Sequence, residues 1–107
     1  QTRSFCYVSD LIRGIVALLE VDKAAEVEMP VNIGNPGERT VRELAELVLK
    51  MTDSNSTIVT KDLPVDDPLL RCPDIRRAHA LLGWQPEVPV ERGLALTIEY
   101  FRRIVTP

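Results

Sequence analysis

The chain predicts a mixed α/β fold, about four helices with short strands. Three observations carry this expectation. Apolar residues recur at helical spacing in four separate stretches. Thr40 and Glu43 form a T-x-x-E capping box, a helix-start signal. Short β-prone runs lie between clusters of turn formers.

The totals bound what such a fold can be. With 107 residues there is room for one small domain. Hydrophobic residues make up 45% and aromatics 5%, so the predicted core is mainly aliphatic. Thirteen Lys plus Arg against 16 Asp plus Glu leave a net charge of −3. That balance argues against a nucleic-acid partner, which calls for a strongly basic face. No apolar run approaches the roughly 18 residues a membrane span needs, so no membrane partner is expected. The opening QTRSFCYVSD has no basic stretch leading into an apolar one, and a cytoplasmic location is the expectation. The chain opens on Gln1, directly in an extended run, which predicts a piece of a longer polypeptide.

In order, residues 2–8 read as a strand with Arg3, Phe5 and Tyr7 on one side and Cys6 and Val8 on the other. Ser9 is the expected cap of a first helix, with Asp10 in its favourable first turn. Leu11, Ile12, Ile15, Val16, Leu18 and Leu19 give that helix an apolar stripe. It is expected to fray in the polar stretch 22–28. A short buried strand is predicted at 30–33, closed by the turn formers Gly34, Asn35, Pro36 and Gly37. The capped helix from Thr40 buries Val41, Leu44, Ala45, Val48 and Met51. A polar loop follows at 52–56, and residues 57–61 are β-prone.

The stretch DDPLLRCPDIRRAHALLGWQP is the most heavily punctuated part of the chain. Pro73 biases Cys72 toward extended backbone, so Arg71 is expected just before a helix starts. The Asp74 carboxylate can accept the N–H of Arg76 or Arg77 as an N-cap. Ile75, Ala78, Leu81 and Leu82 repeat at helical spacing. Gly83 can take positive φ, Trp84 can fold back toward Ala78, and Pro86 prevents resumption. Val90–Val105 is the last predicted helix, with Leu94, Ile98, Phe101 and Val105 on one side and Arg102 and Arg103 at its negative end.

Catalytic chemistry is sparse. His79 reads as a solvated surface residue. Cys6 and Cys72 match no metal spacing and read as buried free thiols, with a disulfide or a ligand pair as the alternative. No serine or cysteine has a base within recognisable sequence reach. NIGNPG lacks a third glycine at dinucleotide spacing and a phosphate-gripping lysine, so it reads as a turn. Asp66 and Asp67 read either as a solvated loop or as acceptors for a hydroxylated ligand such as a ribose. Arg3 and Arg71 are the sharper candidates. Two guanidinium groups converging on one cleft would suit a diphosphate, whose oxygens accept forked hydrogen bonds.

Three segments carry a family resemblance. QTRSFCYVSDLIRGIVALLE is similar to the stretch of extended short-chain dehydrogenases that re-enters the substrate domain, with Arg3 in the place of an arginine that grips the nucleotide-sugar diphosphate. VNIGNPGERTVRELAELV resembles the strand–turn–helix that follows. DDPLLRCPDIRRAHALLGWQPEVPVERGLALTIEYFR resembles the carboxy-terminal pattern of UDP-glucuronate decarboxylases. Related epimerases and dehydratases carry an Arg-Pro-Gly-Asp-like segment where this chain reads Pro64, Val65, Asp66 and Asp67. Arg71 instead takes the place that decarboxylases use for the substrate, and Cys72 stands where a basic residue is more common.

The resemblance implies that residues 1–107 are the carboxy-terminal, substrate-binding part of an NAD-dependent decarboxylase that converts UDP-glucuronate to UDP-xylose. Oxidation at C4 by NAD would give a β-keto acid that loses carbon dioxide before the hydride returns. It further implies substrate contacts from Arg3 and Arg71, with Gln1 and Asp67 near the uridine and Tyr7 as packing. The Gly-rich NAD loop and the Tyr-x-x-x-Lys pair are not in this chain. Four residues beyond Tyr7 stands Leu11, and four beyond Tyr100 stands Ile104. NAD is therefore expected in an amino-terminal Rossmann domain outside this chain, with the whole protein a homodimer and these residues inactive alone. Another epimerase or dehydratase, or a non-catalytic nucleotide- or protein-binding module, are the alternatives.

Overall fold

The computed structural model describes residues 1–21 and 30–105. Among them are four helices: α1 (Val8–Leu19), α2 (Val41–Thr52), α3 (Arg76–Leu82) and α4 (Val90–Val105). Two short strands, β1 (Thr2–Arg3) and β2 (Arg39–Thr40), pair antiparallel with Thr2 opposite Thr40 and Arg3 opposite Arg39.

The helix ends follow from local chemistry. Thr40 and Glu43 close the expected capping box, with Glu43 N–H on Thr40 Oγ1 at 2.9 Å and Thr40 N–H on Glu43 Oε1 at 3.3 Å. α2 ends at Asp53, which takes the left-handed conformation with φ 52°. Asp74 accepts the N–H of Arg76 at 3.1 Å, as expected, although the first helical turn begins beyond Ile75. Its carboxylate also holds the Arg76 guanidinium, and these bonds lower its pKa to about 2. α3 closes at Gly83, where φ is 62° and the Trp84 N–H reaches back to Ala78 O at 3.4 Å.

Several expectations are corrected. The first strand is two residues long rather than residues 2–8, because its partner β2 offers only two residues for pairing. Residues 30–33 and 57–61 form no strand, since they have no ladder partner among the described residues. The α1 N-cap is Tyr7, with no side-chain cap bond, and Ser9 lies inside the helix. The expected fraying at 22–28 lies outside the described residues.

The α1 stripe is present but uncovered. Leu11, Ile12, Ile15, Val16 and Leu19 are exposed, whereas the buried residues of that helix are Asp10 and Gly14. Phe101 and Val105 on α4 are exposed as well. The radius of gyration is 16.8 Å, well above the roughly 13 Å of a compact domain of about 100 residues. A body with extents of 54 × 35 × 19 Å has too little interior to cover both faces of its helices.

What interior exists gathers around Trp84, which is 1% exposed, and Ala78. Trp84 Nε1–H donates to the backbone carbonyl of Asp10 at 3.0 Å. The Asp10 carboxylate accepts the N–H groups of Glu87 at 3.1 Å and Val88 at 2.9 Å. Arg13 donates to the other Asp10 oxygen and to Gln85 O, and its guanidinium lies 5.6 Å from the Trp84 ring centroid. Gly14 is required beneath this ring: a Cβ there would stand 2.6 Å from Ile33 Cγ2 and 3.1 Å from Trp84 Nε1. The connection between α3 and α4 is thereby fastened to α1.

Burial opposes ionisation of Asp10, but the bonds from Val88, Glu87 and Arg13 outweigh it and hold its carboxyl below the ordinary range. The folded state therefore binds this proton less readily than the unfolded chain. The stabilisation is complete above an unfolded value of about 4 and is lost as pH falls through the lower folded value. Asp10→Ala leaves two backbone N–H groups unsatisfied and should cost about 3 kcal/mol by chemical denaturation at pH 7. The loss relative to wild type should shrink as the pH is lowered below about 4.

Candidate functional site

Three of the four candidate site residues meet. The Arg3 Nη2 donates to Asp67 Oδ1 at 2.7 Å, and Gln1 Nε2 donates to Asp67 Oδ2 at 2.8 Å. Both carboxylate oxygens are engaged by residues more than sixty positions earlier in the chain. Strand alternation explains the pairing, because it puts Gln1 and Arg3 on one side of β1. The intervening Thr2 turns the other way, and its buried Oγ1 has no hydrogen-bond partner among the described residues.

Hydrogen bonds to backbone carbonyls bring the two segments together. The Thr2 N–H donates to Leu69 O at 2.8 Å, and Ser4 Oγ–H donates to Arg71 O at 3.4 Å. The Val41 N–H donates to Gln1 O at 3.0 Å, locking the start of the chain onto the capped end of α2. Residues 69–71 thus run beside β1 on the side away from β2. Arg71 sits where this segment passes Ser4. Its side chain is exposed, with no hydrogen-bond or ion-pair partner among the described residues.

Arg3 is different. Its side chain is 20% exposed, and it is tied by Asp67 and by its own Nη1 bond to Thr2 O at 2.7 Å. A guanidinium carries five N–H donors, so three remain after these bonds. The site therefore combines one fixed, partly satisfied cation with one exposed and unengaged cation. Asp67 is presented by a turn: its N–H donates to Pro64 O at 3.2 Å, and Asp66 takes φ 70°. Aspartate tolerates that left-handed backbone better than most side chains.

Tyr7 packs rather than lines this cluster. Its ring covers Gly93, where a Cβ would stand 3.0 Å from Tyr7 Cδ1. Phe5, Cys6, Tyr7, Val90 and Leu94 line an apolar cavity of about 330 Å³. Burial, with the Asp10 carboxylate adding to it, raises the Cys6 pKa, and Arg13 offsets only part of the rise. That thiol stays protonated near neutral pH and is a poor nucleophile. Both cysteines are free; Cys6 is half-buried, but Cys72 is exposed, against the expectation of burial. Its segment runs along the surface, so the thiol gains no cover. His79 is exposed, as expected.

The fit to a dinucleotide is poor. In the turn at 32–37 the Gly37 N–H is taken by Asn35 Oδ1 at 2.9 Å, and Gly34 is buried against Pro73. The Gly37 N–H is thus not open to a pyrophosphate. No group of three or more His, Cys, Asp or Glu that could hold a metal occurs among the described residues. No helix among them is long and apolar enough to cross a membrane.

Sequence reasoning missed two features. The Asp10–Arg13–Trp84 knot joins residues up to 78 positions apart, and only Asp10's place in a first helical turn hinted at it. Arg39 pairs with Glu91 across from β1, and no spacing rule signals such a contact.

No family model matches the chain. UDP-glucuronic acid decarboxylase 1 of Danio rerio is 48% identical over 103 residues, which is 96% of this chain and 24% of that protein. In structure the chain is similar to UDP-glucose 4-epimerase of Thermotoga maritima with UDP-glucose, at TM-score 0.87 and 32% identity. That match covers 97% of this chain and 32% of the epimerase. UDP-glucuronic acid 4-epimerase of Bacillus cereus in complex with UDP-glucuronic acid and NAD matches at TM-score 0.85 and 30% identity, over 97% of this chain and 33% of that one. Over nearly its whole length the chain is thus similar in sequence to UDP-glucuronic acid decarboxylases, and in fold to a segment of nucleotide-sugar epimerases. It spans about a quarter of the length of the curated relatives it matches.

The two arginines should differ in stability measurements. Arg3→Ala removes a partly buried pair and should lower the unfolding free energy by about 1 kcal/mol. Arg71→Ala should stay within about 0.5 kcal/mol of wild type in the same denaturant titration.

Proposed function

We propose that the chain is the substrate-binding portion of an NAD-dependent UDP-glucuronate decarboxylase that makes UDP-xylose, and that it is inactive alone. The observation that supports this reading is the side-by-side course of residues 69–71 and β1, in which the Arg71 backbone passes Ser4, the residue after Arg3. On this reading Arg3 and Arg71 bind the two phosphates of the UDP-sugar by charge-assisted hydrogen bonds. Gln1 and Asp67 lie toward the uridine end. The chain binds and orients the substrate, and no residue of it moves a proton or a hydride.

NAD belongs to a Rossmann domain formed by another part of the polypeptide on this reading; the glycine turn here lacks the third glycine of a dinucleotide loop, and its Gly37 N–H is held by Asn35. The whole protein is a homodimer on the same reading. The cytoplasm is its compartment, and the two free thiols suit a reducing environment.

A second reading, a non-catalytic binding module, draws on the exposed apolar residues of α1 and α4. The two readings separate in one set of measurements. A polypeptide of the relatives' full length should release carbon dioxide from UDP-glucuronate in the presence of NAD, and the 107-residue chain should not. Arg3→Ala and Arg71→Ala should each raise KM for the UDP-sugar by about tenfold or more with a smaller change in kcat, the signature of lost ground-state binding. Interconversion of UDP-hexoses without carbon dioxide release would point to an epimerase. No UDP affinity, together with self-association that rises with concentration, would favour the module.

A further inference from the structure

Arg3 is not simply presented to a ligand, because a carboxylate already holds one of its terminal nitrogens. Asp67 is positioned from three directions: Gln1 on one oxygen, Arg3 on the other, and a turn bond from its own N–H to Pro64 O. Asp66, immediately before it, sits at φ 70° and adds a second negative charge to the loop. A phosphate approaching Arg3 needs the guanidinium fork that Asp67 partly occupies. It must also approach a fixed like charge.

We propose that Asp67 is a specificity-determining residue, a built-in competing anion whose hold on Arg3 disfavours small free anions such as inorganic phosphate and pyrophosphate. The proposal rests on the reading of Arg3 as a diphosphate ligand. Gln1 clamps the competitor in place, because its amide takes the carboxylate oxygen that Arg3 leaves unbonded. Arg71, exposed and without a competing carboxylate among the described residues, is the cation a diphosphate reaches first. An anion that binds only Arg71 gains little, and one that spans both must share the Arg3 guanidinium with Asp67 and lie beside its charge. A bare anion has nothing further to offset that repulsion, whereas a larger ligand brings other contacts.

Calorimetric titration of inorganic pyrophosphate and of UDP tests this on wild type, Asp67→Asn, Arg3→Ala and the double variant. Asp67→Asn keeps the size of the side chain and an amide oxygen for Gln1. It should tighten pyrophosphate about threefold to thirtyfold, the range expected when one unit charge several ångströms away is removed from a half-exposed site. Gln1→Ala, which loosens the loop without changing charge, should alter pyrophosphate affinity by less than about threefold if charge competition dominates. In the Arg3→Ala background the gain from Asp67→Asn should shrink, because the competition acts through Arg3.

Unchanged or weaker pyrophosphate binding by a folded Asp67→Asn variant would overturn the proposal. So would an equal gain with and without Arg3, or no measurable binding by any form. Arg3→Ala that leaves UDP affinity intact would instead sink the diphosphate reading itself, and this proposal with it. Should Asp67→Asn fail to fold, the Arg3 guanidinium 15N resonances of the wild type decide. They should shift with pyrophosphate only at concentrations well above those at which UDP shifts them; equal sensitivity to both would overturn the proposal.

Discussion

A buried carboxylate holds this molecule together. Asp10 is 2% exposed, yet it stays ionised because two backbone N–H groups and a guanidinium surround it. Its backbone carbonyl takes the indole N–H of Trp84, the one large side chain fully buried among the described residues. A lone buried charge would cost several kcal/mol, so the arrangement holds only while all its partners stay in place. Through this knot α1 fixes the connection between α3 and α4. The candidate site is held separately, by bonds from Gln1, Thr2 and Arg3 to residues 67–69.

Local signals were legible at several helix ends, although not at the start of α1, where Tyr7 and not Ser9 is the N-cap. The capping box at Thr40 and Glu43, the left-handed close at Gly83 and the bounds of α4 could all be read from neighbouring residues. Strand length could not be read this way. β-Propensity over residues 2–8 says only that extended backbone is comfortable there, while a ladder needs a partner of matching length. β2 supplies two residues, so two are paired. The apolar stripe of α1 was legible as a stripe but not as an exposed one. Periodicity reports that a face is apolar; it carries no information about what covers it.

The candidate site divides along the same line. Arg3, Arg71, Asp67 and Gln1 could be singled out by residue type and resemblance. That Asp67 would be bonded by both Gln1 and Arg3 was not legible, because 66 and 64 positions separate the partners and no spacing rule spans that distance. The result changes the chemistry: Arg3 is a partly satisfied, fixed donor, and Arg71 is the open one.

The central claim is that Arg3 and Arg71 receive one diphosphate together. Side-chain 15N spectra of the arginines, recorded while UDP is added, test it most directly. The account predicts that the guanidinium resonances of Arg3 and Arg71 move together along one binding curve, while those of Arg13 and Arg39, held by Asp10 and Glu91, stay in place. Movement of Arg71 with Arg3 unchanged at saturation, or shifts centred on Arg13 or Arg39, would contradict it.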